Sequence, residues 1–285
     1  MDCYRIEEIQ GGKPLFQHVD ATYVLHLENN GRIDRIKKEL RQYYPSKNTF
    51  VLFNKGYKKC QKNLPAPETR FDIVDANLYI FRDAKEKGFK NILVLEDDFF
   101  FDSKVRDHCL HVEQFISTHQ DFIYYLGNVP AVIFPYSWYH YRATFTMASH
   151  AVIYSESYRN SVLRVPQESI LDWDTFQLKF KNSQRFMYYT PLCYQLFPET
   201  ENSNGWGNEN VLLHMIAVVV FQWFQLLKMN VQSYPGYPFF YFLSKVIFWI
   251  VLGFILYCCI DLKNIGIGSI YKKFYSGKYG SKKRR

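Results

Sequence analysis

The run Asn91-Ile92-Leu93-Val94-Leu95 is apolar from end to end but for its first residue, and it stops on three consecutive carboxylates, Glu96-Asp97-Asp98. A run this short and this uniformly apolar fits a strand covered on both faces, the kind found in the middle of an α/β sheet. Three adjacent carboxylates at the end of such a strand repel one another, and each raises its neighbours' pKa unless a cation lies among them. Open α/β sheets bind ligands beyond the carboxyl ends of their strands. The cluster therefore sits where a nucleotide diphosphate bridged by Mg²⁺ or Mn²⁺ would be held. The plain alternative is a solvated acidic turn.

The preceding segments supply the rest of the sheet. Ala21 to Leu27 is rich in β-formers and runs into Asn29-Asn30-Gly31; a helical pattern, Ile33, Ile36, Lys37, Leu40, follows. Asn48 to Phe53 repeats the strand signal. Pro65-Ala66-Pro67-Glu68 then turns the chain into a second helix marked by Phe71, Val74, Leu78, Phe81 and Ala84, with Gly88 as its terminator. The order is β-α-β-α-β. Further strands at Phe122–Leu126 and Ala151–Tyr154 predict an α/β domain with a mostly parallel central sheet.

From Asn210 the chemistry changes. Val211 to Leu227 is apolar except for His214, Gln222 and Gln225, and Phe239 to Ile260 has about the 20 residues needed to cross a bilayer. Lys245 stands near the start of that run, where its amine would snorkel to the interface. Of the 285 residues, those after Asp261 hold eight Lys or Arg and no acid, so the formal charge of +8 is carried there and residues 1–262 are neutral. A basic face on the folded domain, which nucleic-acid binding needs, is not indicated. Charge confined to the end of the chain reads as a cytoplasmic membrane flank. A helical hairpin of the two apolar segments would keep both the domain and the tail in the cytoplasm, although the first segment also reads as an interfacial helix or a buried amphipathic helix. Lys282-Lys283-Arg284-Arg285 is spaced like an endoplasmic-reticulum retrieval signal.

Cys3, Cys60, Cys109, Cys193, Cys258 and Cys259 form no C-x-x-C pair in the soluble part, which predicts free thiols, a reducing compartment and no structural metal. Met1 to Gly12 has no apolar core of a signal peptide. The expected organisation is an extension over 1–19, a catalytic domain over 20–206, a membrane-associated helix and turn over 207–238, a transmembrane helix over 239–260 and a basic tail over 261–285.

Several blocks in order resemble glycosyltransferase family 25, the lipopolysaccharide-biosynthesis and procollagen galactosyltransferase-like enzymes. Tyr23-Val24-Leu25-His26-Leu27-Glu28 with Arg35 is similar to the family's opening strand and downstream arginine, and Asn91 to Asp98 to its acidic signature. Ser149-His150-Ala151-Val152-Ile153-Tyr154 is similar to its later strand, and Ile170-Leu171-Asp172-Trp173-Asp174 to its second acidic block. The resemblance implies a GT-A fold, a UDP-sugar donor, Mn²⁺ or Mg²⁺, and inverting transfer of a hexose such as galactose or glucose to a glycan, lipid or protein hydroxyl. Under it Asp98 and Glu96 would hold the metal with His150. Glu96, Asp97, His26 and Trp173 would contact the donor, and Asp172 or Asp174 would be the general base. Chemistry alone asks for the same division, since an inverting displacement needs one carboxylate on the acceptor side and charge neutralisation on the leaving diphosphate. A histidine beside a strand is also a common structural residue. Trp138, Tyr139, Tyr141, Trp173 and Trp206 read either as a sugar platform or as core. The chain departs from the family at His26, usually Asn, and at Asp75-Ala76-Asn77, where a Ser-His pair is common; these bear on the donor sugar. A metal-dependent nucleotidyl- or phosphotransferase, or a membrane scaffold on a degenerate transferase domain, are the other readings of the same residues.

Overall fold

A computed structural model describes residues 2–180, 184–195, 222, 226 and 236–278, with side chains described as far as 260. Strands β1 (Tyr4–Glu8), β2 (Ala21–Leu27), β3 (Asn48–Asn54) and β4 (Asn91–Glu96) alternate with helices α1 (Ile33–Tyr43) and α2 (Thr69–Glu86). A short β5 (Phe99–Phe101) and α3 (Val105–Thr118) follow. Then come β6 (Phe122–Pro135), β7 (His140–Ser155), α4 (Glu156–Val162), α5 (Trp173–Lys179), β8 (Gln184–Tyr188), β9 (Cys193–Gln195) and α6 (Gly236–Lys278).

Strand periodicity sorts the core into two sides. Val24, Leu93 and Leu95 point with Ile153 toward α1 and α3, where Ile36, Leu40, Val112 and Phe115 cover them. Tyr23, Ile92 and Val94 point with Val152 and Tyr154 toward α2, α4 and α5, where Val74, Leu78, Phe81, Tyr158 and Trp173 cover them. The result is a sheet between two helical layers. Gly88 closes α2 at φ +71, a conformation that costs a side chain but not glycine.

The sheet order is β1-β3-β2-β4-β7-β6-β8, and the sheet is mixed. β3, β2 and β4 run parallel, whereas β1 joins β3, and β7 joins both β4 and β6, antiparallel. The expectation of a mostly parallel sheet fails here for a topological reason. Only Tyr136 to Tyr139 separates β6 from β7; a parallel return needs a crossover of about a dozen residues, and so short a connection makes a hairpin. Both strands also run well past the predicted Phe122–Leu126 and Ala151–Tyr154. Register shifts between Tyr125 and Ile133 bend the hairpin, and its start curls round to pair His140, Tyr141 and Arg142 with β8. Pro130, which has no N–H to give, lies among those irregularities.

The N-terminal segment is an edge strand, and Cys3 is disulfide-bonded to Cys60, with Cα atoms 5.6 Å apart. The prediction of free thiols throughout is thus corrected. Cys109, Cys193, Cys258 and Cys259 are free, but no C-x-x-C spacing was needed for the pair, because β1 and the loop after β3 meet through the sheet.

The C-terminal helix is one continuous element of 43 residues. It includes Gly236, Tyr237 and Pro238, expected as a turn; proline is well suited to a first helical turn, whose N–H groups have no intrahelical partner. Tyr237–Ile260 is apolar enough and long enough to cross a membrane. It also docks on the domain along β6: Tyr241 Oη donates to Asn128 and Ser244 Oγ to the Pro130 carbonyl at 2.7 Å. Lys245 Nζ donates to the Tyr189 carbonyl at 2.7 Å and lies over the Tyr141 and Tyr189 rings, so the domain satisfies its charge. The predicted segment Val211 to Leu227 and Trp206 lie outside the described residues, save Gln222 and Leu226.

The disulfide spans a sequence separation of 57 residues. Cys60→Ser should lower unfolding stability by about 2–4 kcal/mol, read by thermal melting without reductant, and reductant should shift the wild-type melt toward that of the variant.

Candidate active site

The three carboxylates at the end of β4 have different environments. Asp97 is buried and tied down on every side. It accepts hydrogen bonds from the Leu27 backbone N–H (3.2 Å), from Asn30 Nδ2 and from the Arg32 guanidinium. His26, buried against Phe53, brings Nδ1 to 3.5 Å of the same carboxylate, an electrostatic contact longer than a good hydrogen bond. Arg35 donates to the Asp97 and Phe99 carbonyls from α1, so this arginine holds backbone rather than facing solvent. Burial pushes the Asp97 pKa up, but the contact with His26, the Arg32 charge and the Leu27 N–H outweigh it and leave the group below its usual range. Asp97 therefore fastens the β2–α1 loop, where Asn29 and Gly31 take left-handed φ values of 66 and 76, to the end of β4.

Glu96 and Asp98 turn the other way. One amide nitrogen, Gln195 Nε2, donates to both, at 3.0 Å to Glu96 and 3.1 Å to Asp98. Gln195 is brought there by the β5–β9 ribbon, whose register opposes Phe99 to Gln195. Asp98 Oδ1 is buried without a hydrogen-bond partner. Burial, then the neighbouring Asp97 charge, pushes Asp98 up to about 7. Burial, then Asp98 and Asp174, pushes Glu96 well above the usual carboxylate range.

Asp174 arrives from α5. Its Oδ2 accepts from the Ala148 N–H at 3.2 Å, and its pKa is raised, chiefly by burial. Ala148 sits at φ 57, a left-handed conformation costly for a residue with a Cβ. Asp174 and His150, whose Nδ1 lies 2.9 Å from the Ala148 carbonyl, brace that turn from its two polar groups. His150 is fully buried, and its Nε2 lies 3.1 Å from the Cys193 carbonyl. Burial pushes it down to about 4. A neutral ring donates one proton, and its other nitrogen then also faces a carbonyl, so backbone occupies both sides of this imidazole.

Two other predicted residues are engaged locally. Asp172 is the N-cap of α5, its carboxylate accepting from the Thr175 N–H at 2.8 Å. Trp173 is buried in the core: Nε1 donates to Tyr154 Oη at 3.2 Å and its ring packs on Phe81 and Phe176. Trp138 is exposed at the tip of the β6–β7 hairpin, Tyr139 stacks on His111, and Tyr141 borders Lys245. The structure thus joins Glu96 and Asp98 under Gln195, places Asp174 where its charge reaches Glu96, and sets His26 against Asp97. Gln195 and Arg32 were missed; the Asn-Gly turn before Arg32 was visible in sequence, but nothing marks Gln195.

No protein-family model matches the sequence, and no curated protein does. Among solved structures the chain is similar to A197 from STIV, at 8% identity and a TM-score of 0.40 over 64% of this chain and 87% of that one. It is similar to a glycosyltransferase involved in the glycosylation of the major capsid of PBCV-1, at 9% identity and 0.36 over 60% and 83%. A third is mannose-1-phosphate geranyltransferase from Thermus thermophilus, at 9% identity and 0.37 over 60% and 73%.

The opposite shifts of Asp97 and Asp98 predict opposite mutational signs. A raised carboxylate contributes stability at low pH that is lost as pH climbs through its folded pKa, here near 7 for Asp98. Asp98→Asn should therefore stabilise the protein at pH 8, by on the order of 1–3 kcal/mol, and flatten its stability profile between about pH 4 and 7. Asp97 is depressed, so its contribution is present above the unfolded pKa and lost as pH falls through the folded one; Asp97→Asn should destabilise at pH 7 by about 1–3 kcal/mol. Urea titrations across pH test both.

Proposed function

We propose that this chain is a divalent-metal-dependent glycosyltransferase of family 25 type and GT-A-like fold. It would transfer a hexose, galactose or glucose, from a UDP-sugar to a glycan, glycolipid or protein hydroxyl with inversion, anchored to a membrane by α6. The observation that carries this reading is the pair Glu96 and Asp98, held under one Gln195 amide at the end of a buried strand, with Asp174 near enough for its charge to raise the Glu96 pKa.

The residues suit Mn²⁺ or Mg²⁺. Among the described residues no three His, Cys, Asp or Glu side chains are grouped so as to hold an ion alone. Sites for these cations characteristically take one or two carboxylates and complete the shell with substrate phosphates and water. Glu96 and Asp98 are such a pair, and the partnerless Asp98 Oδ1 is the group an ion would satisfy. A bound ion would neutralise charge on the departing diphosphate. Gln195 orients the two carboxylates. Asp97 keeps the β2–α1 loop, on which the donor would rest, fixed against them.

Asp174 would accept the proton of the acceptor hydroxyl as that oxygen attacks the anomeric carbon; the UDP oxygen leaves from the opposite side with the bonding electrons. A raised pKa makes Asp174 the stronger base, and its bond from the Ala148 N–H fixes its direction. Asp172, occupied as a cap, is left out of this role, and Trp173 acts by packing α5, which carries Asp174. The Cys3–Cys60 disulfide favours an oxidising compartment for the domain. A single crossing of α6 with its basic end in the cytoplasm delivers it there. The cytoplasmic placement expected from a helical hairpin and free thiols is the alternative orientation.

Full-length protein with UDP-galactose or UDP-glucose should release UDP only when Mn²⁺ or Mg²⁺ is present, and Asp98→Ala should abolish it. Asp174→Asn should lower turnover by about 10²–10⁴-fold while UDP with Mn²⁺ still raises the melting temperature. Pyrophosphate release from UTP and a sugar phosphate, with no UDP from UDP-sugars, would overturn the proposal in favour of nucleotidyl transfer.

A further inference from the structure

The apolar helix, docked as it is, has too little free length to fill a bilayer. Tyr237, Tyr241 and Ser244 are buried against the domain, and Phe248 still rests on Phe134, with ring centroids 5.8 Å apart. The stretch that stands clear, Trp249 to Ile260, is about 18 Å long at 1.5 Å per residue. A hydrocarbon core is about 30 Å thick. Only the whole apolar span of 24 residues, about 36 Å, covers it. The docked half of α6 must then lie at membrane depth, together with whatever part of the domain stands beside it.

That part is the β6–β7 hairpin, whose exposed side chains there are largely apolar; Arg142, the cross-strand partner of Phe134, donates to Gln184 and lies over the Tyr136 and Phe186 rings. Val132 and Phe145 are cross-strand partners, and both are exposed. Phe134, two residues along the same face, is exposed and touches α6. On the helix, Phe242 and Ile247 lie outside the docked stripe and are exposed as well. The direction agrees as well. Tyr241 meets Asn128, Ser244 meets Pro130 and Phe248 meets Phe134, so α6 runs toward the hairpin tip and leaves the domain there. At that tip Trp138 is 95% exposed, between Tyr136 and Tyr139. Lys245 is the only charged residue from Tyr237 to Ile260, and it is turned inward onto the Tyr189 carbonyl. The outer side of the docked half is thus free of charge.

We infer that the β6–β7 hairpin is a second membrane contact. Val132, Phe134 and Phe145 lie against lipid beside the docked half of α6. Contiguous exposed apolar surface of this kind is uncommon on a face bathed in water. The inference rests on α6 spanning a membrane and is independent of the sugar chemistry.

The test is photo-crosslinking of the full-length protein in phosphatidylcholine–phosphatidylglycerol nanodiscs. The crosslinker p-benzoylphenylalanine replaces, one at a time, Val132, Phe145, Trp249 of α6 and the exposed Lys85 of α2. Lipid adducts at Val132, Phe145 and Trp249, above the background at Lys85, are expected. Adducts at Trp249 alone would show a spanning helix with the hairpin held off the bilayer and would overturn the inference. Crosslinks from Phe145 to a second copy of the chain, in place of lipid, would also overturn it. No adduct at Trp249 would remove the membrane reading of α6, and the hairpin contact with it, while leaving the UDP-release assay untouched.

Discussion

Asp97 is the fastening on which the active end of the sheet depends. Its carboxylate collects a backbone N–H from β2, the Asn30 amide and the Arg32 guanidinium from the loop before α1, and a contact with the His26 ring. Such a buried anion is tolerable because each oxygen is matched by donors, and removing any of them would leave part of a desolvated charge uncompensated. With that anion compensated, Glu96 and Asp98 on either side can be left under-compensated. Their raised pKa values express the electrostatic cost of burying two carboxylates beside a third, and the fastening at Asp97 keeps the strand end from relaxing to relieve it.

The same economy explains the second approach to the site. Asp174 reaches the cluster because Asp172 caps α5 and Trp173 locks the helix into the core against Phe81 and Tyr154. Three consecutive residues therefore do three different things: one starts the helix, one packs it and one faces the Ala148 turn and Glu96. The strained turn at Ala148 is maintained by the partner it presents to Asp174 and by the buried His150 beneath it. Gly127 belongs to this arrangement too, since a Cβ there would lie 2.2 Å from both His150 Nε2 and the Cys193 carbonyl.

Much of this was legible in sequence where periodicity and punctuation carry the information. The β-α-β-α-β order through Glu96, the stop at Gly88 and the acidic strand end all follow from residue pattern. Strand direction does not, because an apolar alternation looks the same in either sense; the four-residue connection after Pro135 was the available signal. β1 escaped notice because an edge strand with one wet face, Tyr4-Arg5-Ile6-Glu7-Glu8, has the composition of a loop. Asp172 could have been read as a cap from the helix that follows it. Gln195 could not have been read at all: its place beside Asp98 is set by a short ribbon that pairs it with Phe99, far back along the chain.

The two rims of the sheet bear on how copies of the chain behave when they are crowded together. On one rim β8 bonds to β6 and also to the start of β7, so the strand is folded into a small closed ring. On the other, β1 carries Arg5, Glu7 and Glu8, with Arg5 paired to Glu7 and laid over Phe53. A ring offers no row of unpaired amides, and a charged rim resists desolvation by a neighbour. Among the described residues, then, a molecule with abundant aromatic surface presents no ready template for strand-to-strand polymerisation, and can be held at high local density without seeding fibres.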